Sequence, residues 1–353
     1  MKRPSGRALA AIAATTLVMI YLSIASSTGF TYGSVAANGT LTPTAWVYLP
    51  YVSRQRSPEP IAPGVLAFHE ADETIAYNWF AYVPETMSES ETSYVWVSGL
   101  HGNIVTDNYS LITEESRSQA EWRTSLADEH HYMLLVPVIP RPATNYVYAV
   151  AFAWQVFLDT TDPFCQRPDH KVNLMIDRFI SDLRYTGYDV QDRVLIDGFS
   201  AGAMFAQRYA LLHPERLQAL AAGQCGGAMT LPESLYETTQ MDWPVGTNDF
   251  PSLAGYAFNQ DAYRQVPQYI YIGNQDTTNS TLWGASELWQ TQSQIDFLNS
   301  TFGDTDPIRL KNQVVYLNSI GYNNITFGEY AGVGHQLTPE MINDTFAFFD
   351  AHR

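Results

Sequence analysis

Val194-Leu195-Ile196-Asp197-Gly198-Phe199-Ser200-Ala201-Gly202-Ala203-Met204-Phe205-Ala206 is the stretch on which the fold turns. Arg193 to Ile196 reads as a short strand, and Ala203 to Leu212 reads as a helix closed by His213-Pro214. Between them stands Gly198-x-Ser200-x-Gly202. Such a match is weak by itself, but a strand before it and a helix after it make the pattern of a nucleophile elbow. The turn is so tight that side chains two places either side of the serine would collide, hence glycine at both. The serine is held in a strained conformation with its hydroxyl above the sheet. Backbone N–H groups at the start of the helix then face charge developing on a carbonyl oxygen. The plainer alternative is a Gly-rich turn in which Ser200 is only a helix N-cap.

Working outward, strands and helices alternate from Gly64 to the end, which predicts an α/β fold with a mostly parallel sheet and helices on both faces. Val65 to His69 and Ile75 to Val83 read as an antiparallel opening. Tyr94 to Ser98 is a strand running into Gly99-Leu100-His101-Gly102. Helices are expected over Glu114 to His130, Asp169 to Tyr185 and Pro339 to Ala351. The remaining strands are Tyr132 to Ile139, Leu217 to Ala222, Tyr269 to Ile272 and Ile325 to Tyr330.

A serine hydroxyl needs a base to take its proton. His335, in Gly332-Val333-Gly334-His335, lies between the last strand and the last helix, where a loop can reach back over the sheet. The other histidines are too early, inside or at the end of helices, or terminal. The base in turn needs a carboxylate to fix its tautomer. Asp276 follows a strand in Gly273-Asn274-Gln275-Asp276, and Asp304 and Asp306 are its rivals. The order Ser200, Asp276, His335 fits a strand-helix fold of this kind. An oxyanion hole requires two backbone donors. Ala201 supplies one, and either Gly102 or Asn103 the other, with His101 beside them.

The chain has 353 residues, of which 46% are apolar and 16% charged, so a large core is affordable and disorder is excluded as a general state. A net charge of -17 argues against a nucleic-acid partner. Lys2, Arg3 and Arg7 precede an apolar run from Ala8 to Ile24, the pattern of a signal peptide with cleavage after Ala25. An uncleaved membrane anchor is the alternative. Residues 26–63 read as a flexible spacer and 64–353 as one catalytic domain. In an oxidising compartment Cys165 and Cys225 form a disulfide or remain two buried thiols.

Taken together, the strand into Leu100-His101-Gly102, the Gly-Phe-Ser-Ala-Gly elbow, the Gly-Asn-Gln-Asp turn and the late Gly334-His335 resemble the α/β hydrolases. Within that superfamily they look like the poly(3-hydroxybutyrate) depolymerase and feruloyl-esterase-like branch, with similarity from about Gly64 to Arg353. The resemblance implies a secreted or surface-held carboxylic-ester hydrolase that works through an acyl-enzyme, with no metal or organic cofactor and a small-molecule or polymeric ester as substrate. It carries Ser200, Asp276 and His335 over as a triad. The chain departs from the pattern at Phe199, at Ala203-Met204-Phe205 after the elbow, and in Met229 to Val266, which reads as a small lid-like insertion. Trp154, Trp243 and Trp283, with Phe199 and His101, are candidates for contact with an aromatic or apolar acyl group.

Overall fold

The computed structural model describes residues 57–100, 104–142, 164–277 and 290–353, with the backbone of one earlier strand pair. The chain divides into two units, residues 1–56 and 57–353. In the first, β1 (Ser34–Val35) and β2 (Leu41–Thr42) pair antiparallel. The second holds β3 (Ala67–His69), β4 (Trp79–Tyr82), β5 (Val95–Val97), α1 (Tyr109–His130), β6 (Met133–Pro137), α2 (Pro168–Thr186), β7 (Val194–Phe199), α3 (Ala201–Leu212) and β8 (Leu217–Gly223). After these come the hairpin β9 (Leu235–Tyr236) and β10 (Thr239–Gln240), then α4 (Phe250–Ala254), α5 (Gln260–Tyr263) and β11 (Gln268–Gly273). The chain closes with α6 (Gln292–Phe302), α7 (Asp306–Ser319), β12 (Ile325–Tyr330) and α8 (Pro339–Asp350).

Eight strands form one sheet in the order β12-β11-β8-β7-β5-β6-β4-β3. The six from β12 to β6 run parallel, while β4 is antiparallel to both β6 and β3. The chain passes from β5 outward to β6 and then returns to lay β7 on the other side of β5. That reversal opens a crevice beyond the carboxyl ends of β5 and β7, where an open α/β sheet binds its ligand. The Gly99-Leu100 end of β5 and Ser200 both lie at this switch point.

Side chains alternate between two cores, as the period of a strand requires. Val95, Val97, Met133, Leu135, Val194 and Ile196 face one core, which α2, α3, α6 and α7 cover with Val172, Phe179, Phe205, Leu298 and Leu317. Trp96, Leu134, Val136 and Leu195 face the other, covered by Ile112 and Ala120 of α1 and by Met341, Phe346 and Phe349 of α8. Each of the Val, Leu, Ile, Met and Phe side chains among these contributes roughly 1.5–3 kcal/mol by leaving water.

The packed chain begins before Gly64. The Glu59 N–H donates to Asp182 Oδ1 at 2.9 Å and the Ile61 N–H to Thr186 Oγ1 at 3.1 Å, which ties this stretch to α2. Helix α1 starts at Tyr109 rather than Glu114, capped by the Asn108 side chain, which accepts from the Ser110 N–H. Strand β7 continues through Phe199 because Asp197, Gly198 and Phe199 pair with Ala221, Ala222 and Gly223 of β8. Among the described residues no helix is long and apolar enough to cross a membrane, and the leader expected over residues 1–25 lies outside them.

The expected bond between Cys165 and Cys225 is not formed, although both thiols are buried. Cys225 follows β8 directly and packs into the larger core as a small apolar residue, whereas Cys165 sits in the turn before α2 and is not part of that cluster. Burial pushes the Cys225 thiol up to about 12.

Candidate active site

Ser200 joins β7 to α3 with φ 57 and ψ -123, a positive φ that non-glycine residues rarely adopt. Its neighbours hold it there. The Ser200 N–H donates to the Gly223 carbonyl at 2.9 Å, and the Ser200 carbonyl accepts from the Ala203 and Met204 N–H groups at 3.0 and 3.1 Å. A Cβ on Gly198 would lie 2.2 Å from the Gly202 carbonyl oxygen, so the close approach across the elbow is real. Helix α3 starts at Ala201, where helical geometry leaves backbone N–H groups without an intrahelical acceptor.

His335 Nε2 lies 3.0 Å from Ser200 Oγ, and His335 Nδ1 lies 2.8 Å from Asp276 Oδ2. A carboxylate only accepts, so Nδ1 carries the proton and Nε2 is left to accept from the serine hydroxyl. Asp276 is buried and the imidazole is 29% exposed, so the acid is shielded while the base is open to a substrate. The loops bearing acid and base are sewn together. The Asn274 N–H donates to the Tyr330 carbonyl (2.9 Å) and the Gln275 N–H to the Val333 carbonyl (2.9 Å). The Gly332 N–H donates in return to Asn274 Oδ1 at 2.8 Å. A Cβ on Gly273 would sit 2.2 Å from the Val333 carbonyl oxygen, so this turn also depends on a missing side chain.

The structure therefore brings Ser200, Asp276 and His335 into one hydrogen-bonded line, with the Phe199 ring 5.3 Å from the imidazole. The other acids are employed elsewhere or exposed. Asp306 pairs with Arg309 at 2.9 Å, both buried, and Arg309 also donates to the Gly227 carbonyl and to Asn299 Oδ1. Asp304 is exposed. Because Arg309 ties α7 to α6 and to the loop after β8, Arg309→Ala is expected to destabilise the protein by about 3–5 kcal/mol by leaving a charge buried without its guanidinium. A denaturant titration checks this, with Arg309→Lys as the milder variant.

Trp243, a candidate for substrate contact, offers little surface to a ligand. It is 3% exposed and packs in the larger core beside Phe250 and beneath the Arg208 guanidinium. Part of the insertion is anchored on the flank of α3. Gln207 Nε2 donates to the Thr230 carbonyl, Arg208 Nε to Thr230 Oγ1, and Tyr256 Oη to the Leu212 carbonyl. These anchors stand seven to twelve residues beyond Ser200, roughly 10–18 Å down the helix. His101, Gly102, Asn103, Trp154 and Trp283 lie outside the described residues.

A second His–Asp pair exists away from the site. His213 Nε2 is 2.8 Å from Asp169 Oδ2, and His170 lies close enough for the three to resemble a cation site. The Arg167 guanidinium already occupies both Asp169 oxygens, at 2.9 and 2.6 Å. Burial drives the Asp169 carboxyl upward, but Arg167 and His213 outweigh it and hold the group well below the usual carboxylate range. A structural ion pair fills this cluster.

Asn274 accepts from the Gly332 N–H and Gln224 Nε2 donates to the Gly334 carbonyl at 2.8 Å, yet the sequence alone singles out neither. Asn274 had a signal, its place beside the acid in a tight turn; Gln224 had none.

No family model matches the sequence, and no curated protein matches it. Solved structures do. A poly(aspartic acid) hydrolase from Sphingomonas sp. KT-1 superposes with a TM-score of 0.53 at 16% identity, over 84% of this chain and 98% of that one. The poly(3-hydroxybutyrate) depolymerase LpqC from Bordetella parapertussis superposes with a TM-score of 0.50 at 17% identity, over 82% and 91%. The order of the strands, the turn from β7 into α3 and these likenesses agree: the chain has the α/β-hydrolase fold.

Proposed function

We propose that the protein is a serine hydrolase that cleaves carboxylic esters through an acyl-enzyme on Ser200. The observation that carries this reading is the unbroken hydrogen-bonded line from Ser200 Oγ through His335 to buried Asp276. His335 Nε2 takes the hydroxyl proton as Oγ attacks the ester carbonyl, and Asp276 stabilises the imidazolium that forms. The Ala201 N–H, with Gly102 or Asn103 as second donor, receives the oxyanion; such a donor lowers the barrier by roughly 2.7–4 kcal/mol. His335 then returns the proton to the leaving alcohol, and the same base activates water to release the acid.

The two solved neighbours above are named for polymers, one an anionic polyamide and the other a neutral polyester. A net charge of -17 repels a polyanion, so a neutral ester is the better substrate class here. Export is part of the proposal, resting on the basic and apolar residues 1–25. Two readings compete: a peptidase of the same fold and a non-catalytic binding module.

A fluorophosphonate probe is expected to label Ser200 in the folded protein, and p-nitrophenyl butyrate is expected to turn over faster than peptide anilides. An unlabelled Ser200 leaves the binding module, whereas faster anilide cleavage leaves the peptidase. A panel of short-chain, feruloyl and polyester substrates narrows the ester class.

A further inference from the structure

Gly223 and Gln224, at the carboxyl end of β8, hydrogen-bond to the nucleophile turn, to the strand that leads to the acid and to the base loop. The Gly223 carbonyl accepts the Ser200 N–H at 2.9 Å, and the Gln224 N–H donates to the Tyr271 carbonyl at 2.7 Å, on the strand that leads to Asp276. Gln224 Nε2 donates to the Gly334 carbonyl at 2.8 Å, one residue before His335. Two backbone groups and one side chain thus connect nucleophile, acid strand and base loop. Only the last of these contacts depends on which side chain is present.

Gln224 occupies this place against local preference. Its φ is 50, in the left-handed region that favours glycine, and the residue is 1% exposed. Its Oε1 is buried with no hydrogen-bond partner among the described residues. A buried amide half satisfied in a strained backbone destabilises its surroundings. What the amide supplies in return is the Nε2 donor to Gly334. The approach is further fixed by Gly223, where a Cβ would lie 2.3 Å from the Tyr271 ring.

We infer that Gln224 is a positioning residue for the base: its amide holds the Gly334 carbonyl and so sets His335 at hydrogen-bonding distance from Ser200. The inference rests on the serine-hydrolase reading. Among the described residues, the backbone of the base loop is otherwise hydrogen-bonded to the acid turn, through Val333 and Gly332, and the Gln224 amide is the side chain that links it to the end of β8 beside Ser200. Loss of the Nε2 donor lets the imidazole drift from Oγ while the loop stays attached to Asp276. A misplacement of about 1 Å costs on the order of 100-fold in rate.

The test uses the full chain with two variants of matching size. Gln224→Met keeps the volume and removes the donor. It is expected to lower kcat for p-nitrophenyl butyrate by about 10- to 100-fold, with KM little changed and fluorophosphonate labelling of Ser200 slowed in parallel. Gln224→Glu places a carboxylate oxygen against the Gly334 carbonyl at neutral pH but regains an O–H donor when protonated. Its kcat relative to wild type is expected to rise as pH falls, whereas the Gln224→Met ratio stays flat. That pH response is one a merely space-filling role would not produce, and it decides the matter if the Met variant fails to fold. Wild-type kcat in a folded Gln224→Met protein, or a Glu ratio that does not change with pH, overturns the inference. Ser200→Ala separates the two levels: turnover surviving in that variant sinks the hydrolase reading itself, whereas a dead Ser200→Ala beside a fully active Gln224→Met sinks only the positioning role.

Discussion

Changing Asp276 to asparagine is expected to lower kcat by about 10⁴-fold without unfolding the protein. The carboxylate accepts the His335 Nδ1 proton at 2.8 Å and thereby leaves Nε2 bare toward Ser200. An asparagine fits the same space but can turn its NH2 toward Nδ1. The favoured tautomer then carries its proton on Nε2, which has no lone pair left for the serine hydroxyl. The buried charge that stabilises the imidazolium is lost as well. Turnover of p-nitrophenyl butyrate measures the effect, and circular dichroism shows whether the fold has survived. Full activity in Asp276→Asn would move the acid to Asp304, because Asp306 is already taken by Arg309.

Gly198→Ala is expected to damage both stability and catalysis. The added Cβ would meet the Gly202 carbonyl oxygen at 2.2 Å, its carbon at 2.3 Å and the Ala203 nitrogen at 2.6 Å. All three atoms are backbone, so no rotamer change relieves the clash. The joint between β7 and α3 has to open by roughly 1 Å to restore ordinary contact. Overpacking of this kind costs about 3 kcal/mol or more where the surroundings cannot yield. The same opening displaces Ser200 Oγ from His335, which adds about 100-fold or more in rate. Thermal melting and the rate of fluorophosphonate labelling report the two effects separately. A variant that labels at the wild-type rate would mean that the elbow tolerates a side chain and that its closeness does not matter to the chemistry.

The centre of the fold was readable because its signals are local. Apolar residues, two glycines and an alanine-rich run lie within a dozen positions around Ser200, and the strand ends before Asp276 and His335 are equally compact. Strand β7 was read too short because Asp197 looked like its end. In the structure the Trp96 indole N–H donates to Asp197 at 2.8 Å, and burial pushes the carboxyl upward despite Arg123, Ser98 and Trp96 nearby. A tertiary partner had made a polar residue acceptable inside a sheet. Helices α6 and α7 escaped notice because their apolar faces are sparse: Ile295, Leu298 and Phe302 in one, Leu310, Val314 and Leu317 in the other. A capping box at Thr291 and Gln294 marked the start of α6 for a reader who looked for caps before periodicity.

In the sequence, an aromatic such as Trp243 in an insertion looks available to a ligand. Its neighbours in the core include Arg208 and Phe250, and no pattern around residue 243 announces either. Gln224 is harder still, since its partner Gly334 lies 110 residues away. Side chains that act through such distant contacts leave no periodicity or spacing to find.

The two unjoined cysteines have a practical consequence. Burial raises the Cys225 thiol and keeps reagents away from it, so its reaction with glutathione or alkylating reagents in the folded protein is expected to be slow. Burial shields Cys165 from the same reagents. With no bond between Cys165 and Cys225, denaturation curves with and without reductant are expected to coincide. A single cysteine introduced on the surface becomes a unique chemical handle, so a reporter dye can be attached beside the crevice without first removing either native thiol.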